Sequence, residues 1–250
     1  MRLTVFTYFL FCCLALTAQS KPAHEPFALV ELFTSQGCSS CFSAQEKIEK
    51  VFADSAFSAD SVLLISFHVD YWNDSIWKDP FSKAAYTSRQ QEYQLQFGGE
   101  TVYTPMFVVN GKSGFSGNND IRLRREIKSI RETALTETTG LKIESVQIEG
   151  DKLIFSYTCR PELRNMSIQA ALITKSDTTK VNSGENKGLV LISNNTVRAF
   201  IKLPLRGDGS RAFLKIPKDA ESAQLNLVFW VQSVKDGGIM DIQVFPFQEF

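Results

Sequence analysis

Two cysteines flanking two serines, in Gly37-Cys38-Ser39-Ser40-Cys41, stand between an apolar run and a helical pattern. This junction constrains the fold more than any other part of the chain. The run from Phe27 to Phe33 reads as a buried strand, and Ser43 to Phe52 as a helix with Ile48, Val51 and Phe52 on one side. A thiol at a helix start faces unpaired backbone N–H groups and the positive end of the dipole, which favour thiolate over thiol. Thiolate is the form that attacks disulfides, and the second cysteine is close enough to resolve the mixed intermediate. The stretch therefore predicts thiol–disulfide exchange, with both sulfurs at the surface, Cys38 attacking and Cys41 resolving. A passive disulfide is the plainer alternative, although so small a loop contributes less stabilisation than a long one.

Other cysteine chemistries need partners that the sequence does not supply. A zinc site requires two further ligands at suitable spacing, and Cys159, His68 and His24 form no second knuckle. Attachment of c-type haem requires His directly after the second cysteine, where this chain has Phe42. Two alternatives stay open. The reduced pair with His68 suits copper(I), a soft ion that favours thiolates, and a non-enzymatic envelope scaffold needs no chemistry at all. The leading reading, exchange of disulfides, calls for no cofactor and no bound metal.

The amino terminus points to a compartment. Met1-Arg2 gives a positive start, Val5 to Leu16 is almost entirely apolar, and Ala18-Gln19-Ser20 places small residues at a cleavage position. Residues 1–20 thus read as a secretory signal, short for a membrane-spanning helix, with an uncleaved anchor as the alternative. Cys12 and Cys13 would leave with it, so the mature chain keeps Cys38, Cys41 and Cys159. A secreted or periplasmic location is one where disulfides persist, so a dithiol there is either actively reduced or acts as an oxidant. The 27 basic and 27 acidic residues balance, giving no electrostatic sign of a nucleic-acid or lipid-surface partner. Expected partners are protein or small-molecule thiols and disulfides, including a redox partner protein, with no membrane contact after signal removal.

The chain then reads as alternating strands and helices. Ala28 to Phe33 is continuously apolar except for Glu31, as expected where helices cover both faces of a sheet. Glu31 either relays protons to the buried sulfur or sits at the strand edge reaching solvent. Ser61 to Val69 is a second buried strand, ending in His68-Val69-Asp70-Tyr71-Trp72, and strand ends are where open α/β sheets place their sites. His68 and Asp70 share a face by alternation; they either move protons beside the dithiol or tie down the next loop. Tyr71, Trp72 and Trp77 line a substrate groove or simply pack. After a turn at Pro80, Ser82 to Phe97 reads as a helix with Ser82 as N-cap and Gly98-Gly99 as its stop. Thr104-Pro105 leads into Met106 to Val109, then the hairpin dipeptide Asn110-Gly111 and a return strand. Asn119 to about Thr136 is a last helix, amphipathic through Ile121, Ile127 and Ile130.

Strand, Cys-x-x-Cys, helix, strand, helix, Thr-Pro, hairpin, helix is an order that resembles the α/β thioredoxin fold. The resemblance implies a cis Thr104-Pro105 bond facing the cysteines, with Thr104 binding substrate backbone. More specifically, Glu31 to Cys41, Phe67 to Trp72, Trp77 to Phe81, Tyr103-Thr104-Pro105 and Val109-Asn110-Gly111 resemble the exported domain-of-unknown-function family 1223. Gly184 to Gly188 with Val197-Arg198 resembles that family's carboxy-terminal signature. The family often has prolines after its cysteines where this chain has Ser39, Ser40 and Phe42, so the redox direction stays open.

Beyond Thr139-Gly140 the pattern changes to eight short strand-like runs with turn punctuation, which suggests an antiparallel sandwich. The expected organisation is a thioredoxin-like domain at 27–138 and an all-β sandwich-like domain at 140–250. No catalytic constellation appears in the second part. Glu185 and Asn186 in the Ser183–Gly188 loop bind a partner, fold back towards the cysteines, or only flank a turn held by Gly184. Cys159, in an apolar strand, reads as a buried thiol.

Overall fold

The computed structural model describes residues 22–23, 25–54, 57, 61–132, 138–160, 163, 165–206, 210–220 and 224–247. The expected signal segment 1–20, with Cys12 and Cys13, and also His24, lie outside them. Strand β1 (Ala28–Thr34) is buried at every position and pairs in parallel with β2 (Val62–His68), from Ala28 opposite Val62 to Thr34 opposite His68. On its other edge β1 pairs antiparallel with β3 (Met106–Val109). The chain then turns through Asn110 and Gly111, both at positive φ, into β4 (Ser113–Ser116), the turn geometry those two residues favour.

Among the described residues three helices accompany these strands. Helix α1 (Ser39–Phe52) begins four residues earlier than its apolar pattern, with Cys38 as N-cap. Helix α2 (Ala84–Gln96) is preceded by Lys83 in the cap position, not Ser82. The Ser82 hydroxyl is engaged in the preceding turn, donating to the Asp79 carbonyl and accepting from the Asn73 side chain. Gly98, at φ +73°, ends the helix. Helix α3 (Asp120–Glu132) buries Leu123 and Ile127, whereas Ile121 is 78% exposed. The apolar stripe runs through 123, 127 and 130, a four-then-three spacing that excludes position 121. The expected end near Thr136 lies outside the described residues.

The second half contributes β5 (Lys142–Glu149), β6 (Lys152–Thr158), β7 (Met166–Lys180), β8 (Val190–Pro204), β9 (Ser210–Lys215), β10 (Leu225–Ser233) and β11 (Ile239–Pro246). Among the described residues seven strands stand where eight were expected, because the two runs 188–193 and 196–205 form one long strand through Asn195, at φ 50°. Strands β5, β6 and β9 make a three-stranded antiparallel sheet. Its Leu153 and Phe155 pack on Leu172, Phe229 and Phe245 in sandwich fashion.

The other four strands do not close on themselves as a separate sandwich. They extend the first sheet into one of eight strands, ordered β11-β10-β7-β8-β2-β1-β3-β4. The junction is a parallel pairing of β2 with β8 at Ser66 opposite Thr196, which covers a strand edge that would otherwise be left unpaired. The result is a mixed α/β core, mostly sheet, with a large sheet and a second antiparallel one. Alternation sorts the β1 side chains between two cores. Val30 and Leu32 meet Ile48, Val51 and Ile127 of α1 and α3. Leu29 and Phe33 meet Tyr86 and Tyr93 of α2 and Trp230 of β10.

Candidate functional site

Because β1 and β2 are parallel and in register to their ends, the loop after Thr34 and the side chain of His68 emerge at the same edge of the sheet. That loop carries Cys38 and Cys41, which lie at disulfide distance with Cα atoms 5.4 Å apart. The peptide bond Thr104-Pro105 is cis, and the Thr104 carbonyl oxygen lies 3.9 Å from Cys38 Sγ. Trp72 fixes this arrangement. Its indole N–H donates to Thr104 Oγ1 at 2.7 Å, and its backbone lies so near Gly37 that a Cβ there would stand 3.2 Å from the Trp72 oxygen. Gly117 is required behind the proline, where a Cβ would come within 2.6 Å of Pro105 Cβ. The structure thus brings together Cys38, Cys41, Thr104, Pro105 and Trp72.

The sulfurs are not at the surface. Cys38 is 1% exposed and Cys41 3%, against the expectation from the sequence. The cover comes from the tip of the long β7–β8 hairpin, which the sequence left among three readings and which folds back onto the cysteines. Asn186 is buried and its Nδ2 donates to the carbonyls of Gln36 at 2.9 Å and Cys38 at 3.0 Å. The Glu185 carboxylate accepts from the Ser39 backbone N–H at 3.0 Å and from its hydroxyl at 2.7 Å. Cys38 makes no side-chain cap of its own, so Glu185 serves as the helix cap from a distant part of the chain, where a negative charge is favoured. The Ser39 backbone N–H and then its hydroxyl hold the Glu185 carboxyl below its usual range, against a small opposing effect of burial. Gly184, at φ +78°, lets the loop turn against Gly37.

Beneath the cysteines lies a cavity of about 20 Å³ lined in part by Cys38, Cys41, Gln36, Ser66, His68 and Ser193. His68 is buried, and its Nδ1 bonds Asp79 Oδ2 at 2.7 Å. Its Nε2 and the Gln36 Oε1 are buried and make no hydrogen bond among the described residues. Asp79 Oδ2 also accepts from the Gln36 backbone N–H at 2.8 Å, and Oδ1 from the Phe81 N–H at 3.0 Å. Burial alone raises the Asp79 carboxyl; the His68 ring and the two N–H donors outweigh it and hold the group below the ordinary carboxylate range.

Asp70, expected beside His68, is elsewhere. Strand β2 ends at His68, so alternation no longer governs position 70, and Asp70 instead accepts from the Thr87 hydroxyl at 2.5 Å. Glu31 is fully buried and does not reach solvent at a strand edge. It shares the β1 face of Leu29 and Phe33, opposite the face that meets α1, so it does not sit beneath the cysteines. Arg89 grips it through Nε at 2.5 Å and through a second nitrogen at 3.0 Å, and the Tyr93 hydroxyl donates to it at 2.5 Å. The guanidinium stands over the rings of Phe67, Tyr93, Phe200 and Trp230 at 4.9–5.7 Å. Burial opposes its charge most strongly of any one effect, but Glu31, Tyr93 and Glu92 together outweigh it and raise the arginine further.

Tyr71 is 40% exposed beside the site, with its hydroxyl bonded to Gln90 at 3.2 Å. Burial pushes it up to about 12, against the smaller lowering effect of its hydrogen bonds with Gln90 and Thr104. Cys159 is buried, its sulfur donating to the Arg206 carbonyl at 3.5 Å. Among the described residues no three His, Cys, Asp or Glu side chains are grouped to hold a metal ion, and no helix is long and apolar enough to cross a membrane. Sequence reasoning passed over Gln36, Asp79 and Ser193. Asp79 alone carried a signal, an aspartate before proline in the turn that follows a histidine-ended strand.

Comparison with known proteins places this geometry. The family model described as "Protein of unknown function (DUF1223)" matches residues 29–232. The chain belongs to this family. The match spans the cysteine loop, the histidine strand, the Thr-Pro segment and the covering hairpin, so one DUF1223 unit includes every part of the site. No curated protein matches the chain. Among solved structures, it is similar to protein AGR_C_4864 from Agrobacterium tumefaciens, at 22% identity and a TM-score of 0.63, covering 90% of this chain and 96% of that one. It is also similar to HBP35 of Porphyromonas gingivalis, at 15% identity and 0.59, covering 92% and 77%. Both likenesses are of fold.

Proposed function

We propose that this DUF1223 protein is an exported thiol–disulfide oxidoreductase, with its 27–138 region a thioredoxin-like unit, working on protein or small-molecule thiols and disulfides. The observation that carries the reading is the Cys38–Cys41 pair at the start of α1, facing a cis Thr104-Pro105 bond across 3.9 Å. Cys38, at the N-cap, is the attacking sulfur, because backbone N–H groups at a helix start stabilise its thiolate. Cys41, one turn inward and buried, resolves the mixed disulfide. The Thr104 carbonyl is placed to receive a substrate N–H beside the sulfur. With the pair at disulfide distance under the 183–188 loop, the arrangement corresponds to a covered form, and exchange requires that loop to lift from Cys38. The signal-like segment 1–20 supports the proposal of export.

Burial of the pair favours a second reading, a binding scaffold in which the disulfide is static. Titration of the purified protein against glutathione redox buffers separates the two. A reversible Cys38–Cys41 transition between roughly −270 and −120 mV is expected for an exchanger. A potential below about −300 mV, typical of structural disulfides, or no transition at all, would remove the oxidoreductase reading.

A further inference from the structure

We infer that His68, oriented by Asp79, is the proton acceptor for Cys41, reached through one water in the cavity they share. The inference rests on the dithiol reading above and adds the group that ionises the buried thiol. A resolving cysteine has a difficulty that an N-cap cysteine does not. Cys41 is 3% exposed, and burial in apolar surroundings holds a thiol in its unreactive protonated form. It needs a base within reach.

The site contains one. Asp79 accepts at His68 Nδ1, which places a proton there, so that in the neutral ring the lone pair is on Nε2. That nitrogen is buried without a partner among the described residues. Side chains on β1 and β2 alternate, and the even-numbered positions Val62 and Leu64 pack on the α1 side. His68 and Ser66 follow on the same face, the one that carries Cys41. The cavity of about 20 Å³ exceeds the ~10–15 Å³ that one water requires. Gln36 Oε1, also without a partner, supplies a second acceptor that would hold such a water between Cys41 and the imidazole.

The surrounding charges leave this role to His68. Asp79 faces its Nδ1 side, and Phe81 lies edge-on to the ring with Arg198 beyond it, 5.0 Å from the Phe81 centroid. The Lys83 backbone N–H donates to the His68 carbonyl, while its ammonium points to the Arg198 carbonyl. Among the described residues the cavity side offers only the two cysteines with hydroxyls, amides, Phe42 and Leu191.

The step balances as follows. The Cys38 thiolate attacks a substrate disulfide R–S–S–R′, forming Cys38–S–S–R and releasing R′–S⁻, which takes a proton from solvent. Cys41–SH passes its proton through the water to His68 Nε2. The Cys41 thiolate attacks Cys38 Sγ, the Cys38–Cys41 bond forms, and the bond to R breaks. R–S⁻ leaves and takes up, through solvent, the proton that the imidazolium gives back. Two electrons pass from the cysteines to the substrate.

The test is single-turnover oxidation of the reduced full-length protein by oxidised glutathione. Mixed-disulfide formation and its resolution are followed by quenching and mass across a range of pH. In His68→Gln the first step should be unchanged while resolution slows by about a hundredfold near neutrality, the scale of general-base assistance. The slowed rate should rise about tenfold per unit of pH, as an unassisted thiol ionises, and glutathionylated Cys38 should accumulate. A resolution rate and pH profile equal to wild type overturn the proton-acceptor role while leaving the dithiol reading intact. A wild-type protein that forms no mixed disulfide and no dithiol transition overturns both. If His68→Gln does not fold, Asp79→Asn, which preserves shape, carries the same test: accumulation supports the role and an unaltered profile overturns it.

Discussion

Asn186 is the contact on which access to the dithiol turns. Its side-chain amide makes two hydrogen bonds to otherwise buried carbonyls, of Gln36 and Cys38, at 2.9 and 3.0 Å. Each contributes about 1 kcal/mol net, so Asn186→Ala removes about 2 kcal/mol from the closed loop. At 1.4 kcal/mol per tenfold, the fraction of molecules with the loop lifted rises about 30-fold. The Glu185–Ser39 contact is exposed and remains in the variant. If reductant reaches Cys38 only in the lifted state, the rate of Cys38–Cys41 reduction by dithiothreitol rises by the same factor. The assay is thiol release or trapping with an alkylating agent at fixed reductant, alongside a denaturant midpoint for each protein. A reduction rate within twofold of wild type, with a lowered midpoint, would show that Asn186 supports the fold without controlling access.

Three further outcomes are expected. Arg89→Leu strands Glu31 in the core, and breaking one member of a buried pair costs about 3–5 kcal/mol, to be read from urea unfolding; a loss under 1 kcal/mol contradicts the pairing described for α2 and β1. Reducing the disulfide, which closes a loop only three residue steps long, should cost about 2 kcal/mol by chain entropy. A much larger loss on comparing oxidised and reduced unfolding would mark the bond as structural. The Asp79 carboxyl is held below its ordinary 3.8, so the stabilisation is complete above that value and is lost as pH falls through the lower folded value. Asp79→Asn should flatten the stability profile in that acid window, and an unchanged slope there would contradict the role given to the His68 contact.

Several elements were legible from residues alone because local chemistry decides them. The hairpin at Asn110-Gly111 needs two positive φ values, which those residues adopt at low cost. The helix stop at Gly98 has the same origin. Other expectations failed where a distant partner wins. Ser82 has the right side chain for an N-cap but spends its hydroxyl on Asp79 and Asn73, and the helix begins later. Glu31 looked out of place in an apolar strand because its partner, Arg89, stands 58 residues away on helix α2.

The amino-acid order by itself determined that two cysteines would meet a helix start, that a Thr-Pro pair would precede a hairpin, and that strands would dominate the second half. Period, turn residues and helix breakers act within a few residues, so they can be read without coordinates. Only the tertiary structure decided that β8 would pair with β2, and that its hairpin would therefore carry Asn186 and Glu185 onto Cys38. It also decided that His68 would face Asp79 and not Asp70. Those contacts join parts of the chain through parallel pairing and burial of polar groups, and the identity of a buried group's partner is set by packing, which sequence neighbours do not encode.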